Sequence, residues 1–304
     1  MATPSEVREL PLPSLPDWLE AEYPFRRRLL EIHGHPMHLV DEGTGPVVFM
    51  LHGNPTWGYL WRKIMRRLQR QGFRLIVPDL IGFGLSEKPR DGADHTIDMH
   101  VKQLSGLVEA LDLRDMTIVA QDWGGPLIAA TAARFPERVR AAVFGNTALL
   151  MPKRPIHTTW FHRLSHYPVI APFLFYSTMF PVPILHRVQG DPASIGPKEK
   201  RAYRYPFKSW SDRAGPLALA RMVPNSESHP SIKPLEVVDA WTRSFQGPVS
   251  LVWGRRDPIL GRTLRRIREA LPQARVHETD AGHFLQEEVP DLLTEEILAV
   301  SWVP

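Results

Sequence analysis

From Met37 to Leu150 the sequence switches repeatedly between two periodicities, and that switching limits the fold more than any single residue does. "MHLVDEGTGPVVFMLHGNP" holds two extended runs around a Gly-rich turn, and "FRLIVPDLIGFG" is another apolar run ending in glycines. "TIDMHVKQLSGLVEALDL" has helical spacing, with Val101, Leu104, Leu107, Val108 and Leu111 on one side. "DMTIVAQDW" reads as a strand, "GGPLIAATAARFPER" as a helix whose small residues permit close packing, and "VRAAVFGNTAL" as the next strand. Apolar strands alternating with helices indicate an α/β fold, with a mostly parallel sheet covered on both faces.

The alternation stops at Met151. Residues 151–234 hold 13 of the chain's 30 prolines, together with Trp160, Phe173, Phe175, Tyr176, Phe180 and Phe207. This interval is too apolar for a disordered linker. Short helices joined by Pro-containing turns fit it, packed over one end of the sheet. The alternation resumes with the strand "PVSLVWGRRDP", the helix "LRRIREALP", the strand "ARVHETDAG" and a helix over "FLQEEVPDLLTEEILAV". The expected organisation is a core made from residues 1–150 and 235–304, with a helical cap at 151–234 inserted after the sixth strand.

Composition removes several function classes. The 304 residues are 43 % hydrophobic and 23 % charged, as in ordinary globular domains. No apolar run reaches the roughly 18 residues needed to span a bilayer. The start, "MATPSEVRELPLPSLPDW", lacks the layout of a secretory leader. With no cysteine there is no disulfide or thiol chemistry. A cytoplasmic location is expected, without a nucleic-acid or membrane partner. The densest basic stretch, "WRKIMRRLQRQGFR", places Ile64, Met65 and Leu68 at helical spacing. It is read as a solvated helix face, since the net charge is only +4 and no nucleic-acid motif accompanies it.

The segment "AQDWGG" has a small-x-nucleophile-x-small layout between a strand and a helix. Small flanking residues let the backbone fold back so that residue 122 projects above the sheet. Read alone, Asp122 is most simply a helix cap. Two further residues change its meaning. His283 in "DAGHF" and Asp257 in "WGRRDP" each follow a strand, where functional loops of α/β sheets gather. Each has an ordinary reading too, a surface histidine and an Asp-Pro turn. Nucleophile, acid and base in this order along the chain are nevertheless the order of an α/β-hydrolase triad. "LHGNPT" occupies the loop that supplies an oxyanion-hole N–H in such folds, and Asn54 is its unusual member.

"HGNPTWGYLWR", "PDLIGFGLSEKP", "AQDWGG", "WGRRDP" and "AGHFLQEE" together resemble the haloalkane dehalogenases, from about Arg28 to the C-terminus. The resemblance implies that Asn54 and Trp123 donate side-chain N–H groups to a departing halide. It also implies an Asp122–His283–Asp257 triad. The position after the sixth strand, where some members carry the acidic partner as Glu, is Asn146 here. The cap residues Trp160 and Trp210 are read as core or tunnel lining. The implied substrate is a small apolar haloalkane, converted to a primary alcohol, halide and a proton without cofactor or metal.

This chemistry suits the residues. A haloalkane offers no carbonyl, so a carboxylate must displace halide at saturated carbon and leave an alkyl ester on the enzyme. Two neutral donors can receive the anion. Two rivals remain. An epoxide hydrolase of the same fold would use acid donors from the cap, where Tyr167, Tyr176, Tyr203 and Tyr205 lie. A non-catalytic receptor would have no use for a halide pair.

Overall fold

The frame is a nine-stranded sheet whose middle strands are buried on both faces. The computed structural model describes residues 7–153, 156 and 159–302. The strands are β1 (Arg8–Glu9), β2 (Arg27–Ile32), β3 (His35–Gly43), β4 (Val47–Leu51), β5 (Arg74–Pro78), β6 (Met116–Asp122), β7 (Val139–Thr147), β8 (Val249–Gly254) and β9 (Arg275–Thr279). Their spatial order is β1-β2-β3-β5-β4-β6-β7-β8-β9. Pairing is antiparallel from β1 through β3 to β5 and parallel from there to β9. All five residues of β4 and all six of β8 are buried, which is why these strands read as unbroken apolar runs.

The helix Ile97–Ala110 covers one face with Val101, Leu104, Leu107 and Val108, all buried, as the spacing requires. Thr96 begins it by accepting the Met99 N–H on its hydroxyl at 3.1 Å. The helix Gly124–Ala132 is buried along its whole length between the sheet and the helix Ile232–Ser244. The C-terminal segment departs from the expected single helix. Pro290 cannot supply an N–H, so the chain forms Leu285–Glu288 and then Pro290–Ser301, with proline at the start of the second helix.

The cap follows β7, which is the sixth strand once the two-residue edge strand β1 is set aside. Among its described residues are the helices Trp160–Ser165, Pro197–Arg204 and Ala214–Arg221. Between the first two, Ile170–Pro172 runs into a wider π-helical turn, Phe173–Ser177. The cap has a small core of its own in Ala171, Phe175, Leu217 and Ala220. The expected return to the core between residues 234 and 235 falls inside the helix Ile232–Ser244.

The basic stretch presents the solvated face that its pattern suggests at Arg66 and Arg70, with Ile64, Met65 and Leu68 buried, but Arg62 departs from it. Arg62 is fully buried in the helix Arg62–Leu68, and its guanidinium donates to both oxygens of Glu287, at 2.6 and 3.0 Å. Lys63 approaches the same carboxylate at 2.9 Å, and the cap's Tyr203 donates its hydroxyl at 2.6 Å. One carboxylate therefore joins the core, the segment after His283, and the cap. Burial pushes the Glu287 carboxyl up, but Arg62, with Lys63 and Tyr203, holds it below the ordinary glutamate value. A depressed value contributes stability above the unfolded-state pKa, and this is lost as pH falls through the folded value. Glu287→Gln should leave Arg62 charged and poorly paired in the interior, lowering unfolding free energy by about 3–5 kcal/mol in urea titrations at neutral pH. The variant should also lose less stability than the parent on acidification.

Candidate active site

The site is built where β4, β6 and β7 end side by side. Asp122 closes β6 in the left-handed region, with φ at +51°. Such a conformation costs a non-glycine residue roughly 1–3 kcal/mol and persists only where its surroundings enforce it. Its neighbours do so by close approach. A Cβ on Gly124 would collide with the Leu51 carbonyl oxygen, and one on Gly53 would lie 2.5 Å from Asp122 Oδ2. The Thr147 hydroxyl donates to the Asp122 carbonyl at 2.6 Å and ties the turn to β7. Asp122 is not the helix cap that its sequence context allows. Trp123 holds that position, without a side-chain capping bond.

The two carboxylate oxygens of Asp122 have different surroundings. Oδ2 accepts the backbone N–H of Asn54 at 2.7 Å, and the carboxylate also takes the backbone N–H of Trp123. Oδ1 is 3.8 Å from His283 Nε2. Burial raises the Asp122 carboxyl above its ordinary value, opposed by His283 and by the two backbone donors.

His283 and Asp257 come from the loops after β9 and β8 and meet at 2.9 Å, Nδ1 to Oδ2, both buried. The acceptor is a carboxylate, so Nδ1 carries the hydrogen and Nε2 faces Asp122. Burial pulls the imidazole pKa down, but Asp257, and then Asp122, outweigh it and raise it above the ordinary histidine value. Burial likewise raises Asp257, while His283, Asn146 and the Ile259 N–H bring it below the ordinary value. The structure thus brings Asp122, His283 and Asp257 into one continuous line.

Asn54 and Trp123 flank the same carboxylate. The Asn54 side-chain Nδ2 donates to the Pro216 carbonyl of the cap at 2.9 Å, leaving its second amide hydrogen without an acceptor among the described residues. The indole N–H of the largely buried Trp123 also has no acceptor among the described residues. On the cap side of Asn54, Pro216 joins Phe175, Met179, Phe180, Val182 and Phe207 in lining a narrow apolar cavity, with Arg213 as its one charged group. Behind them, His52 accepts the Leu80 N–H on Nε2 at 3.0 Å, and its Nδ1 hydrogen reaches the Gly53 carbonyl at 2.9 Å. Burial holds this ring below the ordinary histidine value. It therefore acts as a neutral brace between two loops.

Several cap expectations change. Trp210 is exposed and packs on Tyr176, so it is neither core nor lining of this cavity. The Trp160 side chain lies outside the described residues. The cap tyrosines are committed elsewhere. Tyr203 donates to Glu287, Tyr205 packs against Trp18, and Tyr167 is exposed. None of the four lines the cavity.

Two site residues were not identified as such from the sequence. Asn146 follows from the fold alone. It is buried, donates to Asp257 Oδ2 at 2.6 Å, and accepts the Gly254 N–H at 2.7 Å. Gln121, one residue before the turn, donates to the His283 carbonyl at 3.1 Å and places the same nitrogen 3.1 Å from His283 Nε2. Its position inside "AQDWGG" was the available signal.

A strained strand-to-helix turn bearing a carboxylate, followed by acid and base from later strand ends, defines an α/β-hydrolase. The family described as alpha/beta hydrolase fold matches residues 46–173. The chain is 34 % identical to a haloalkane dehalogenase of Mycolicibacterium paratuberculosis, over 92 % of this chain and 93 % of that one. It is 32 % identical to a cis-3-alkyl-4-alkyloxetan-2-one decarboxylase of Shewanella oneidensis, over 90 % and 87 % respectively. The crystal structure of the haloalkane dehalogenase DatA from Agrobacterium tumefaciens C58 superposes with a TM-score of 0.78 at 28 % identity, covering 91 % of this chain and 96 % of that one. The chain belongs to the haloalkane dehalogenase family.

The Asn146 contact can be tested directly. A hydrogen bond to a charged group contributes about 1.5–3 kcal/mol. Asn146→Ala should therefore slow whichever step places positive charge on His283 by roughly ten- to a hundredfold. Stopped-flow kinetics that separate alkylation from hydrolysis should assign the loss to hydrolysis.

Proposed function

We propose that this protein is a haloalkane dehalogenase that cleaves carbon–halogen bonds through an alkyl ester on Asp122. The observation that carries the reading is the unequal setting of the two Asp122 oxygens. Oδ2 accepts the backbone N–H of Asn54, whereas Oδ1 faces the imidazole. Oδ1 attacks the carbon bearing the halogen, and Oδ2 becomes the ester carbonyl. The halide departs toward the free amide hydrogen of Asn54 and the indole N–H of Trp123. His283 Nε2 then takes a proton from water, and the water attacks the Asp122 carboxyl carbon. The oxyanion forms on Oδ2, which the backbone N–H of Asn54 already holds. Asp257 stabilises the imidazolium. Collapse releases a primary alcohol and restores the carboxylate. Burial of Asp122 beneath the cap favours this displacement by keeping water from the nucleophile.

A second reading is favoured by the near-equal similarity to the oxetanone decarboxylase. The same carboxylate could attack a saturated ring carbon of a strained lactone, and the same donors could receive the departing carboxylate oxygen. The epoxide reading would need acid donors from the cap, where Tyr203 donates to Glu287, Tyr205 packs on Trp18, Tyr176 packs on Trp210 and Tyr167 is exposed. Halide release from 1-bromobutane or 1,2-dibromoethane, compared with carbon dioxide release from a dialkyl oxetan-2-one, separates the two. Halide release without carbon dioxide supports the dehalogenase, and the reverse result replaces it.

The roles are separable. His283→Phe should alkylate but not turn over, giving an enzyme whose intact mass rises by the alkyl group. Absence of an adduct from a reactive bromide would remove Asp122 or His283 from the roles given. Asn54→Ala and Trp123→Phe should each slow alkylation by about 10²–10³-fold, near 3 kcal/mol, with hydrolysis less affected by loss of the Trp123 indole N–H. His283 must be neutral to accept a proton, and its pKa is raised. Hydrolysis should therefore slow as pH falls through a value above that of free histidine. Alkylation needs only an ionised Asp122 and should persist to lower pH. Rapid-quench mass spectrometry should show alkyl-enzyme accumulating on the acid side.

A further inference from the structure

The cap carries a surface that the reaction does not use. Of the eight large hydrophobic side chains exposed among the described residues, five belong to it: Tyr167 (55 %), Val169 (77 %), Ile170 (55 %), Phe173 (66 %) and Trp210 (58 %). They are contiguous. The chain is helical from Ile170 through Ser177, and the Phe173 N–H bonds back to the Val169 carbonyl. Val169, Ile170, Phe173 and Tyr176 therefore stack along one helical face. Trp210 continues the ridge by packing on Tyr176, with ring centroids 4.9 Å apart. Monomeric proteins seldom leave such a ridge to water without a use.

The charge around it says what covers it. Residues 151–234 hold twelve Lys and Arg against four Asp and Glu, so the cap is +8 in a chain that is +4 overall. Arg163, Arg204 and Lys208 are exposed on the cap, Arg163 on the helix packed against Ile170–Pro172 and Lys208 two residues before Trp210, and no carboxylate pairs with any of them among the described residues. The nearby Asp212 is occupied by the Ser209 N–H at 2.7 Å. A second copy docking cap to cap would bring two strongly positive surfaces together. A bilayer with anionic headgroups offers the opposite charge and an apolar layer for the ridge.

We propose that the cap docks peripherally on anionic lipid surfaces, with the Val169–Phe173–Trp210 ridge inserted at the headgroup boundary and the basic side chains on the phosphates. It requires no spanning segment, and no helix among the described residues is long and apolar enough to be one. The ridge lies on the outer side of the helix whose Phe175 lines the cavity, so the docked face is the one through which an apolar substrate dissolved in lipid would approach. The docking stands whichever leaving group the site handles.

Vesicle flotation tests it. The protein should float with phosphatidylcholine vesicles containing about 30 % phosphatidylglycerol, and at least about tenfold less with phosphatidylcholine alone. Binding should weaken in about 0.5 M salt. Val169→Ser with Phe173→Ser and Trp210→Ser, and separately Arg163→Glu with Lys208→Glu, should each reduce flotation about tenfold or more. Thermal midpoints should remain near that of the parent, since every substituted side chain is exposed. Vesicles of brominated lipid should quench tryptophan emission in the parent and much less in Trp210→Phe, a measurement independent of the multiple variants. The proposal fails if the parent does not float, or if flotation is unchanged in both sets of variants. It fails equally if vesicles leave the protein untouched while sedimentation shows a dimer that the apolar variant abolishes.

Discussion

The backbone turn at Asp122 is the constraint on which the site depends. Three strand ends converge there so closely that residues 53 and 124 have no room for a side chain. The cost of a positive φ at an aspartate is offset by β-sheet pairing on both sides and by the Thr147 hydroxyl. In return the carboxylate is fixed rather than mobile. One oxygen meets the backbone N–H of Asn54, and the other faces His283. A serine on the same turn would project a single oxygen. In the proposed mechanism the carboxylate gives the turn both a nucleophile and an atom already held by the Asn54 N–H for the second step.

The cap and the base are positioned by the same short segments. The His283 backbone N–H donates to Val188 at 2.8 Å, and Gln189 exchanges hydrogen bonds with Phe284 at 2.9 and 3.1 Å. Asn54 reaches the cap through Pro216, and Glu287 reaches it through Tyr203. The cap is thus fastened on two sides of the site. A displacement of it would move the His283 loop and turn the Asn54 amide together. Truncating a cap anchor is therefore a different change from reshaping the cavity wall, because only the former also moves the catalytic groups.

Much of the fold was legible because doubly covered parallel strands leave an unmistakable record of apolar runs separated by helical spacing. The strand-end placement of Asp122, His283 and Asp257 followed from that record, since parallel sheets collect their loops at one edge. What the sequence concealed was pairing over distance. Arg62 looked like one charge among many on a solvated helix, and only its partner, 225 residues away, makes it internal. Asn146 was visible only as a residue that could not be an acid. Its positioning role depends on β8 lying beside β7. Trp210 was misplaced for a related reason. Aromatic composition identifies a segment that packs, but the side of a short helix that faces the core is decided by neighbours the local pattern does not contain.

In the mechanism proposed above, the charges of the site also follow a cycle. In the resting protein, Asp257 and Asp122 both raise the His283 pKa. Alkylation converts Asp122 into a neutral ester and removes one of those two influences while leaving Asp257 in place. The imidazole pKa must therefore fall at the moment it is required as a base, by an amount set by a 3.8 Å separation in a poorly screened interior. Hydrolysis restores the carboxylate and the higher value, which favours the imidazolium formed by taking water's proton. The nucleophile thus tunes the base through its own change of charge, and Gln121 and Asn146 keep the ring in place while it happens.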